Sequence, residues 1–144
     1  MVFVSLVAAA LAIPHCGIVE GFYGRPWSHT GRVELLKFMG ELGLDTYIYG
    51  PKDDPYHHAQ WREPYPLEKA NEFRELLKTA NEGKIDLYWA VHLGNAFAND
   101  APDAKAAEYQ ALFRKMESMY RIGFRAFAAF FDDFGGTNAV LPGA

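Results

Sequence analysis

Apolar and polar positions follow two different periods along this chain, and the switch between them predicts alternating strands and helices. Short, nearly continuous apolar runs are typical of buried strands, and they lie at residues 17–23, 45–49, 85–91 and 126–131. Segments with apolar residues at helical spacing separate these runs, at about residues 28–42, 67–81 and 103–122. A glycine follows each segment, as expected where a helix ends: Gly43, Gly83 and Gly123. The predicted order is therefore β-α-β-α-β-α-β.

The first and third predicted helices carry more detailed expectations. Ser28 or Thr30 is expected to cap the first helix, because a side-chain oxygen at this position accepts a hydrogen bond from a backbone N–H group that the helix leaves unpaired. Asp103 is expected to cap the third helix in the same way. The apolar stripe of the third helix is predicted to lie in the core: Tyr109, Leu112, Phe113, Met116, Met119 and Tyr120.

Apolar strands separated by amphipathic helices indicate an α/β fold, with a parallel sheet covered by helices. The units have about the length expected when ~250 residues build the eight units of a TIM-type (β/α)8 barrel. Since four strands cannot close such a barrel, the prediction is its first half, β1-α1-β2-α2-β3-α3-β4. A doubly wound sheet is the alternative fold. No predicted strand is followed by a G-x-G-x-x-G turn, which disfavours the nucleotide-binding version of that alternative.

Composition narrows the class of protein. The chain has 144 residues, half of them hydrophobic, which is enough to build the core of one domain. The formal net charge of −4 gives no electrostatic footprint for nucleic acid or for an anionic membrane. Cys16, the single cysteine, excludes an internal disulfide and a multi-cysteine metal site. We expect it to be a small buried hydrophobic residue beside the first strand.

The first 16 residues are predicted to form a leader, separate from a half-barrel domain at residues 17–144. Residues 2–13 are apolar, and residues 10–12 resemble a signal-peptidase site. However, no Lys or Arg precedes the apolar stretch, which is also too short to span a bilayer as a helix. Two interpretations stay open: a degenerate secretion signal, or an irregular leader packed on the first strand. A secreted and a cytoplasmic location therefore both remain compatible with the sequence.

Polar side chains follow each predicted strand. In a parallel barrel the carboxyl-terminal ends of the strands and the loops after them form one rim, where catalytic groups lie. The candidates at this rim are Glu20 and Tyr23, Lys52 with Asp53 and Asp54, His92 and Asn95, and the pair Asp132 and Asp133. Each has a plain structural alternative: Glu20 can bridge to a neighbour, and His92 can be a hydrogen-bonded histidine. The four sets together favour function.

Asp132 and Asp133 are the strongest candidates, because two adjacent charges at the end of an apolar strand are costly unless they have a role. Adjacent strand residues point to opposite faces, so both can enter the barrel only if the chain curls, as it can at Gly135 and Gly136. Neighbouring carboxylates in different environments can hold different protonation states at one pH. That property suits an acid–base pair. A helix cap and a cation-binding turn are the alternatives.

Four segments resemble glycoside hydrolase family 84, which comprises O-GlcNAcases and related bacterial β-N-acetylglucosaminidases, some of them called hyaluronidases. The segments are residues 17–27 (GIVEGFYGRPW), 47–57 (YIYGPKDDPYH) with 61–63 (WRE), 89–92 (WAVH) and 130–133 (FFDD). They occur in the family's order and cover roughly residues 17–138. The residues after Asp133 differ from the family, which usually has a longer loop there.

The resemblance implies a (β/α)8 barrel that hydrolyses terminal β-linked N-acetylglucosamine of a glycan or glycoprotein with retention of configuration. In that family the substrate's own acetamido oxygen is the nucleophile and forms an oxazoline, an exception to the usual two-carboxylate scheme. The resemblance assigns Asp132 to orienting and polarising the acetamido N–H. It assigns Asp133 to protonating the leaving oxygen and then deprotonating water.

The resemblance also implies a substrate-binding set and no metal or organic cofactor. It assigns Gly21 and Lys52 to the sugar hydroxyls, and Phe22 and Tyr23 to the lining of the site. The backbone beside a glycine can be approached closely, and a lysine is a flexible cationic donor.

Three hypotheses follow. The first is a catalytic half that is inactive or barely active alone, since the family completes its site with residues from the second half of the barrel. The second is a non-catalytic sugar-binding or interaction module of the same fold, and the third is an unrelated barrel hydrolase. Open sheet edges at the first and fourth strands also predict self-association.

Overall fold

The structure is a computed structural model of the chain, and it describes residues 14–94, 96–97 and 101–131. Residues 1–13 of the predicted leader, Asn95 and the pair Asp132 and Asp133 lie outside the described residues. The strands are β1 (Gly17–Glu20), β2 (Thr46–Tyr49), β3 (Asp86–His92) and β4 (Ala126–Phe130). The helices are α1 (His29–Leu42), α2 (Leu67–Glu82) and α3 (Pro102–Ile122). The predicted order of elements is confirmed.

The four strands form one parallel sheet in the order β1-β2-β3-β4. The helices cover the same face of this sheet. The Tyr49 ring lies between α1, whose Arg32 guanidinium is 4.9 Å from its centroid, and α2, whose Phe73 ring is 5.0 Å away. On the same face, Lys115 of α3 lies over Trp89. A doubly wound sheet reverses its strand order and carries helices on both faces. This sheet does neither, and it fits the first half of an α/β barrel.

Side chains along each strand point alternately to the face that the helices cover and to the opposite face, which we term the inner face. Tyr49 and Trp89 are paired in register and are almost fully buried under the helices. Since side-chain direction alternates, the next residue of β3, Ala90, belongs to the inner face, and so does His92. His92 is paired in register with Phe130 of β4, so the two side chains share the inner face. This face carries the candidate site.

A buried ion pair joins β1 to α1. Arg32 Nε donates to Glu20 Oε2 at 2.8 Å, and a terminal guanidinium nitrogen donates to Oε1 at 2.7 Å. The Tyr47 hydroxyl and the Trp27 backbone N–H donate to the same carboxylate. Burial, and then the nearby Glu20 carboxylate, raise the pKa of Tyr47. The prediction that Glu20 joins the candidate groups at the rim is wrong, because its side chain points into the helix layer and stabilises it.

The helix caps agree with the sequence in one case and not in another. The Ser28 hydroxyl accepts from Gly31 N at 3.1 Å, as predicted, and Gly43 ends α1 in the left-handed region at φ 73°. The prediction of Asp103 as an N-cap is wrong, because Ala101 is the N-cap and Pro102 opens α3. Proline suits this position, where its missing N–H group would have no helical partner. No helix in the described part of the chain is both long and apolar enough to cross a membrane.

The predicted core stripe of α3 is wrong for three of its members. Tyr109, Phe113 and Tyr120 are 62%, 71% and 54% exposed, whereas Met119 is fully buried. The buried residues of α3 recur every four positions and are Ala111, Lys115 and Met119. A prediction from hydrophobicity alone selects the wrong face of α3. The face that packs on the protein includes a lysine, whereas three aromatic residues lie on the exposed face.

Cys16 is exposed, which contradicts the expected buried position. Its backbone is fixed on both sides by Asp45: Cys16 N donates to the carboxylate at 2.9 Å, and Asp45 N donates to Cys16 O at 2.9 Å. Cys16 therefore contributes to the structure through its backbone hydrogen bonds with Asp45 and not through burial of its side chain.

We expect Arg32→Met to lower the free energy of unfolding by about 3–5 kcal/mol, because it leaves the Glu20 carboxylate buried without its cation. The matched control is Arg121→Met, which breaks an exposed pair with Glu117 and is expected to change stability by less than about 1 kcal/mol. Urea unfolding of the three proteins measures both values. Equal effects of the two substitutions would contradict the assigned role of the buried pair.

Candidate functional site

The loop between β2 and α2, residues 50–66, carries Lys52 back over the end of the sheet. Gly50 N donates to Glu20 O at 3.0 Å, and Lys52 N donates to Phe22 O at 3.1 Å, so the loop is fixed to the loop after β1. The Lys52 ammonium lies 5.9 Å from the Tyr23 ring and 5.5 Å from the Phe130 ring. Lys52 is nearly fully buried at this position. A cation between two aromatic faces is stabilised by their negative π-surfaces.

Gly21 completes this group, because a Cβ added to it would lie 3.6 Å from Cε2 of Phe130. We term Gly21, Tyr23, Lys52 and Phe130 the Lys52 cluster. Three of its four members are predicted substrate-binding residues, and the structure brings them together. The fourth predicted residue, Phe22, packs its ring against Trp27 at 5.4 Å.

Gly50 permits the rings at the end of the sheet to meet. A Cβ at this position would lie 2.5 Å from Cε2 of Phe130 and 3.1 Å from Cε1 of His57. The first distance is far inside van der Waals contact, and the obstacle is an aromatic ring. A glycine is therefore required here by close approach.

Asp53 and Asp54 hold the loop, although they follow Lys52 directly in sequence. Asp53 Oδ2 accepts from Gly24 N at 3.0 Å. Asp54 is buried, and its carboxylate accepts from the hydroxyls of Tyr49 and Tyr65 and from a backbone N–H group. Burial is the main reason that the pKa of each tyrosine is raised, and the Asp54 carboxylate adds to it. These two carboxylates fix the loop that presents Lys52.

Helix α3 fixes the far end of the same loop. The Lys115 ammonium donates to the Glu63 carbonyl at 2.5 Å and lies 4.2 Å from the Tyr65 ring. Burial lowers the pKa of Lys115 to about 8, and the charges of Asp54 and Glu63 oppose that shift. A second contact is the bidentate pair in which Arg62 donates to Glu108 at 2.6 and 3.0 Å.

His57 extends the hydrogen-bonding of β3 beyond the end of β2. Pairing of β2 with β3 stops at Tyr49 and Trp89. Beyond that point, His57 Nδ1 donates to Ala90 O at 2.7 Å, and His57 O accepts from His92 N at 2.9 Å. The loop residue thus takes the place of the next residue of β2. The sequence analysis missed this role, since it placed His57 only at the end of a family motif and gave it no function.

The imidazole of His57 is fully buried and neutral at neutral pH. Burial lowers its pKa to about 4, with smaller contributions from His92 and Lys52, while the bond to Ala90 O and the Asp54 carboxylate oppose the shift. Because a carbonyl oxygen can only accept, Nδ1 carries the proton and Nε2 is an acceptor. Nε2 has no hydrogen-bond partner within the part of the chain that the structure describes.

His92 lies beside this histidine, buried on the inner face. Its ring is 6.2 Å from the His57 ring and makes a T-shaped contact with His58 at 4.3 Å. Across residues 14–94, 96–97 and 101–131, no three His, Cys, Asp or Glu side chains are grouped to hold a metal ion. The rings of His57, His58, His92 and Phe130 form a chain of aromatic contacts at this end of the sheet.

The fold and the Lys52 cluster define the class: an α/β barrel fragment with polar groups gathered at the carboxyl-terminal ends of its strands. The family model described as beta-N-acetylglucosaminidase matches residues 16–140. The curated proteins named Protein O-GlcNAcase from Rattus norvegicus and from Mus musculus are each 40% identical over 118 residues, which cover 82% of this chain and 12% of each relative. The chain therefore spans about an eighth of the length of these relatives.

Two solved structures agree with this match. The structure of CpGH84B is 42% identical with a TM-score of 0.78, and the match covers 83% of this chain and 21% of that one. A mutant of the O-GlcNAc hydrolase of Thermobaculum terrenum is 36% identical with a TM-score of 0.75, covering 83% and 25%. The chain belongs to the β-N-acetylglucosaminidase family of glycoside hydrolases, and the resemblance drawn from its four motifs is confirmed.

We expect stability to fall as the pH is lowered from about 6.5 to about 4, in part because of His57. The pKa of His57 is lower in the folded protein than its ordinary value of 6.5. Between the two values the unfolded chain binds the extra proton, so stability decreases as pH falls, by up to about 3 kcal/mol from this group. Urea unfolding at a series of pH values measures the slope.

A matched variant separates His57 from the carboxylates, which also titrate in this range. His57→Asn keeps an N–H donor for Ala90 O and cannot titrate, so its slope should be shallower. The expectation is wrong if His57→Asn and the unchanged protein lose stability in parallel.

Proposed function

We propose that this chain is the N-terminal part, residues 17–144, of the catalytic barrel of a β-N-acetylglucosaminidase. The substrate is a glycan or glycoprotein that bears terminal β-linked N-acetylglucosamine. The observation that carries the proposal is the Lys52 cluster: a cationic donor and aromatic walls meet at the strand ends, and one wall, Phe130, is two residues before Asp132. The membership of the chain in this family supports the same conclusion.

Each member of the Lys52 cluster has a property that suits a sugar ligand. The Lys52 ammonium offers donors to the oxygens of sugar hydroxyls. The aromatic rings of Tyr23 and Phe130 present flat apolar faces on which the C–H face of a sugar ring can pack. Gly21 leaves room for a ligand to approach its backbone. Phe22 as a further lining residue stays a prediction, since its described ring contact is with Trp27.

In the proposed reaction, Asp132 accepts a hydrogen bond from the acetamido N–H and increases the electron density on the acetamido oxygen. This oxygen attacks the anomeric carbon, while Asp133 protonates the glycosidic oxygen and the bond to the leaving group breaks. The acetamido N–H proton passes to Asp132 in this step, so the product is a neutral oxazoline, and the proton returns to the nitrogen when the oxazoline ring opens. Asp133, now a carboxylate, then takes a proton from water, which attacks the anomeric carbon and opens the ring with overall retention.

We expect the 144-residue chain to hydrolyse an aryl β-N-acetylglucosaminide barely or not at all by itself. Any turnover should fall by about 10²-fold or more in Asp133→Ala, because this change removes the general acid and base. Asp86→Ala is the matched control: Asp86 is an exposed carboxylate at the start of β3, the opposite end of the sheet. It should leave the rate unchanged. The measurement is release of the aryl alcohol by the purified 144-residue chain and its variants. Turnover that survives in Asp133→Ala would contradict the assignment.

Binding of a thiazoline analogue of N-acetylglucosamine separates catalysis from recognition. Binding that is weakened by Lys52→Ala, without turnover in any protein, would favour the sugar-binding module over the enzyme. A chain that neither binds the analogue nor hydrolyses the substrate would overturn the proposed function for this chain. The two readouts together decide between the alternatives.

Self-association through the sheet edges stays a prediction. Among the described residues, β1 and β4 are the edge strands, and each pairs with one neighbour only. The inner face beside β1 is accessible, with Val19 55% exposed. We expect a species larger than the 16.2 kDa monomer in size-exclusion chromatography with light scattering. A compact monomer at all concentrations would contradict this expectation.

A further inference from the structure

We propose that His57 is a positioning residue of the candidate sugar site, which holds Lys52 and Phe130 in place without touching the substrate. The inference relies on the proposed function only for the ligand of the site. It rests on two hydrogen bonds, one ring contact and the charges that face the imidazole.

The hydrogen bonds make His57 a second fixed point for the Lys52 loop. At one end, Gly50 N is bonded to Glu20 O. At the other end, the His57 side chain is bonded to Ala90 O and its carbonyl oxygen to His92 N. Lys52 lies between these points, so its backbone has little freedom to move relative to β1 and β3.

The ring contact links His57 to β4. The His57 and Phe130 rings meet at 5.7 Å with an interplanar angle of 79°, an edge-to-face arrangement. The same Phe130 ring lies under the Lys52 ammonium at 5.5 Å. The imidazole and the ammonium thus contact the same Phe130 ring, so a change of the His57 side chain can reach the Lys52 cluster through this ring. Phe130 is also the last residue of β4, which leads to Asp132.

The charges around His57 keep it in the neutral form that this arrangement needs. Lys52 and Asp54 face it from its own loop and His92 from β3, while β4 presents the uncharged ring of Phe130. Protonation would place a second cation beside Lys52 in a buried setting, which desolvation disfavours. The neutral form also keeps Nε2 an acceptor, so that it does not compete with Lys52 as a donor.

The first experiment needs no ligand, because Lys52 reports the position of the Phe130 ring by NMR. The ε-methylene protons of Lys52, next to an ammonium that lies over the Phe130 ring at 5.5 Å from its centroid, should resonate upfield of an ordinary lysine. We expect His57→Ala to remove at least half of this displacement, and His57→Asn, which retains a donor for Ala90 O, to restore most of it. His15→Ala, at the other end of the sheet, should leave it unchanged. An undisturbed Lys52 signal in folded His57→Ala would overturn the proposal.

A titration of the unchanged protein gives the same answer if His57→Ala does not fold. As the pH is lowered, the imidazole ¹⁵N signals of His57 and the ε-methylene signal of Lys52 should change with one common midpoint. A His57 titration that leaves the Lys52 signal unmoved would overturn the proposal. Unfolding at low pH would be recognised separately, because it changes the backbone amide signals of the whole chain.

Binding of the thiazoline analogue then connects the positioning role to the site. We expect His57→Ala to weaken binding about tenfold or more, a change of about 1.4 kcal/mol, and His57→Asn to bind nearly as well as the unchanged protein. Equal affinity of all three would overturn the role in the sugar site. If the unchanged protein neither binds the analogue nor hydrolyses the substrate, the proposed function fails, while the Lys52 signal still decides whether His57 positions the cluster.

Discussion

The candidate site depends on how the backbone of β3 is satisfied after β2 ends. β3 has seven residues and β2 has four, and their pairing stops at Tyr49 and Trp89. Buried backbone groups need partners, and His57 supplies two of them to Ala90 and His92. To do so, the loop after β2 has to return to the sheet, and Lys52 lies on that return. The location of the cationic donor is thus a consequence of backbone hydrogen-bonding in the sheet.

In the same loop, three charged side chains that are adjacent in sequence point in different directions and have different partners. Lys52 contacts the aromatic rings of the site, whereas Asp53 and Asp54 accept hydrogen bonds that hold the loop. Glu20 is neutralised by Arg32 in the helix layer. Each of these three carboxylates has a structural partner, and the proposed reaction uses a separate pair, Asp132 and Asp133, which the family resemblance names. In that proposal, stability and catalysis depend on different carboxylates.

The sequence predicted the elements and their order well, because these depend on local periodicity and on caps such as Ser28 and Gly43. The sequence-based predictions were wrong where tertiary contacts determine whether a side chain is buried or which partner it has. The exposure of Phe113 depends on which face of α3 meets the sheet, and the buried face includes a lysine whose ammonium finds a carbonyl partner. No local pattern shows that Glu20 of β1 meets Arg32 of α1 between the sheet and the helix.

The candidate site was predictable to the extent that the family motifs name its residues. Gly21, Tyr23 and Lys52 lie together as the resemblance implies, around a ring that the motifs also contain. His57 lies inside the same motif, but its role follows from which backbone groups of β3 remain unpaired. That information exists only when two strands of unequal length are placed side by side. Sequence spacing therefore could not reveal it.

The contacts also explain why four separate motifs identify one family. The first and second motifs are joined by hydrogen bonds from Gly50 N, Lys52 N and Gly24 N. The second and third motifs are joined by the hydrogen bond from His57 to Ala90 of β3. The fourth motif contacts the second through the rings of Phe130 and His57. A substitution at one of these contact residues would thus disturb a contact made by another motif. The four segments, distant in sequence, behave physically as one unit at the end of the sheet, and that unit places the Lys52 cluster.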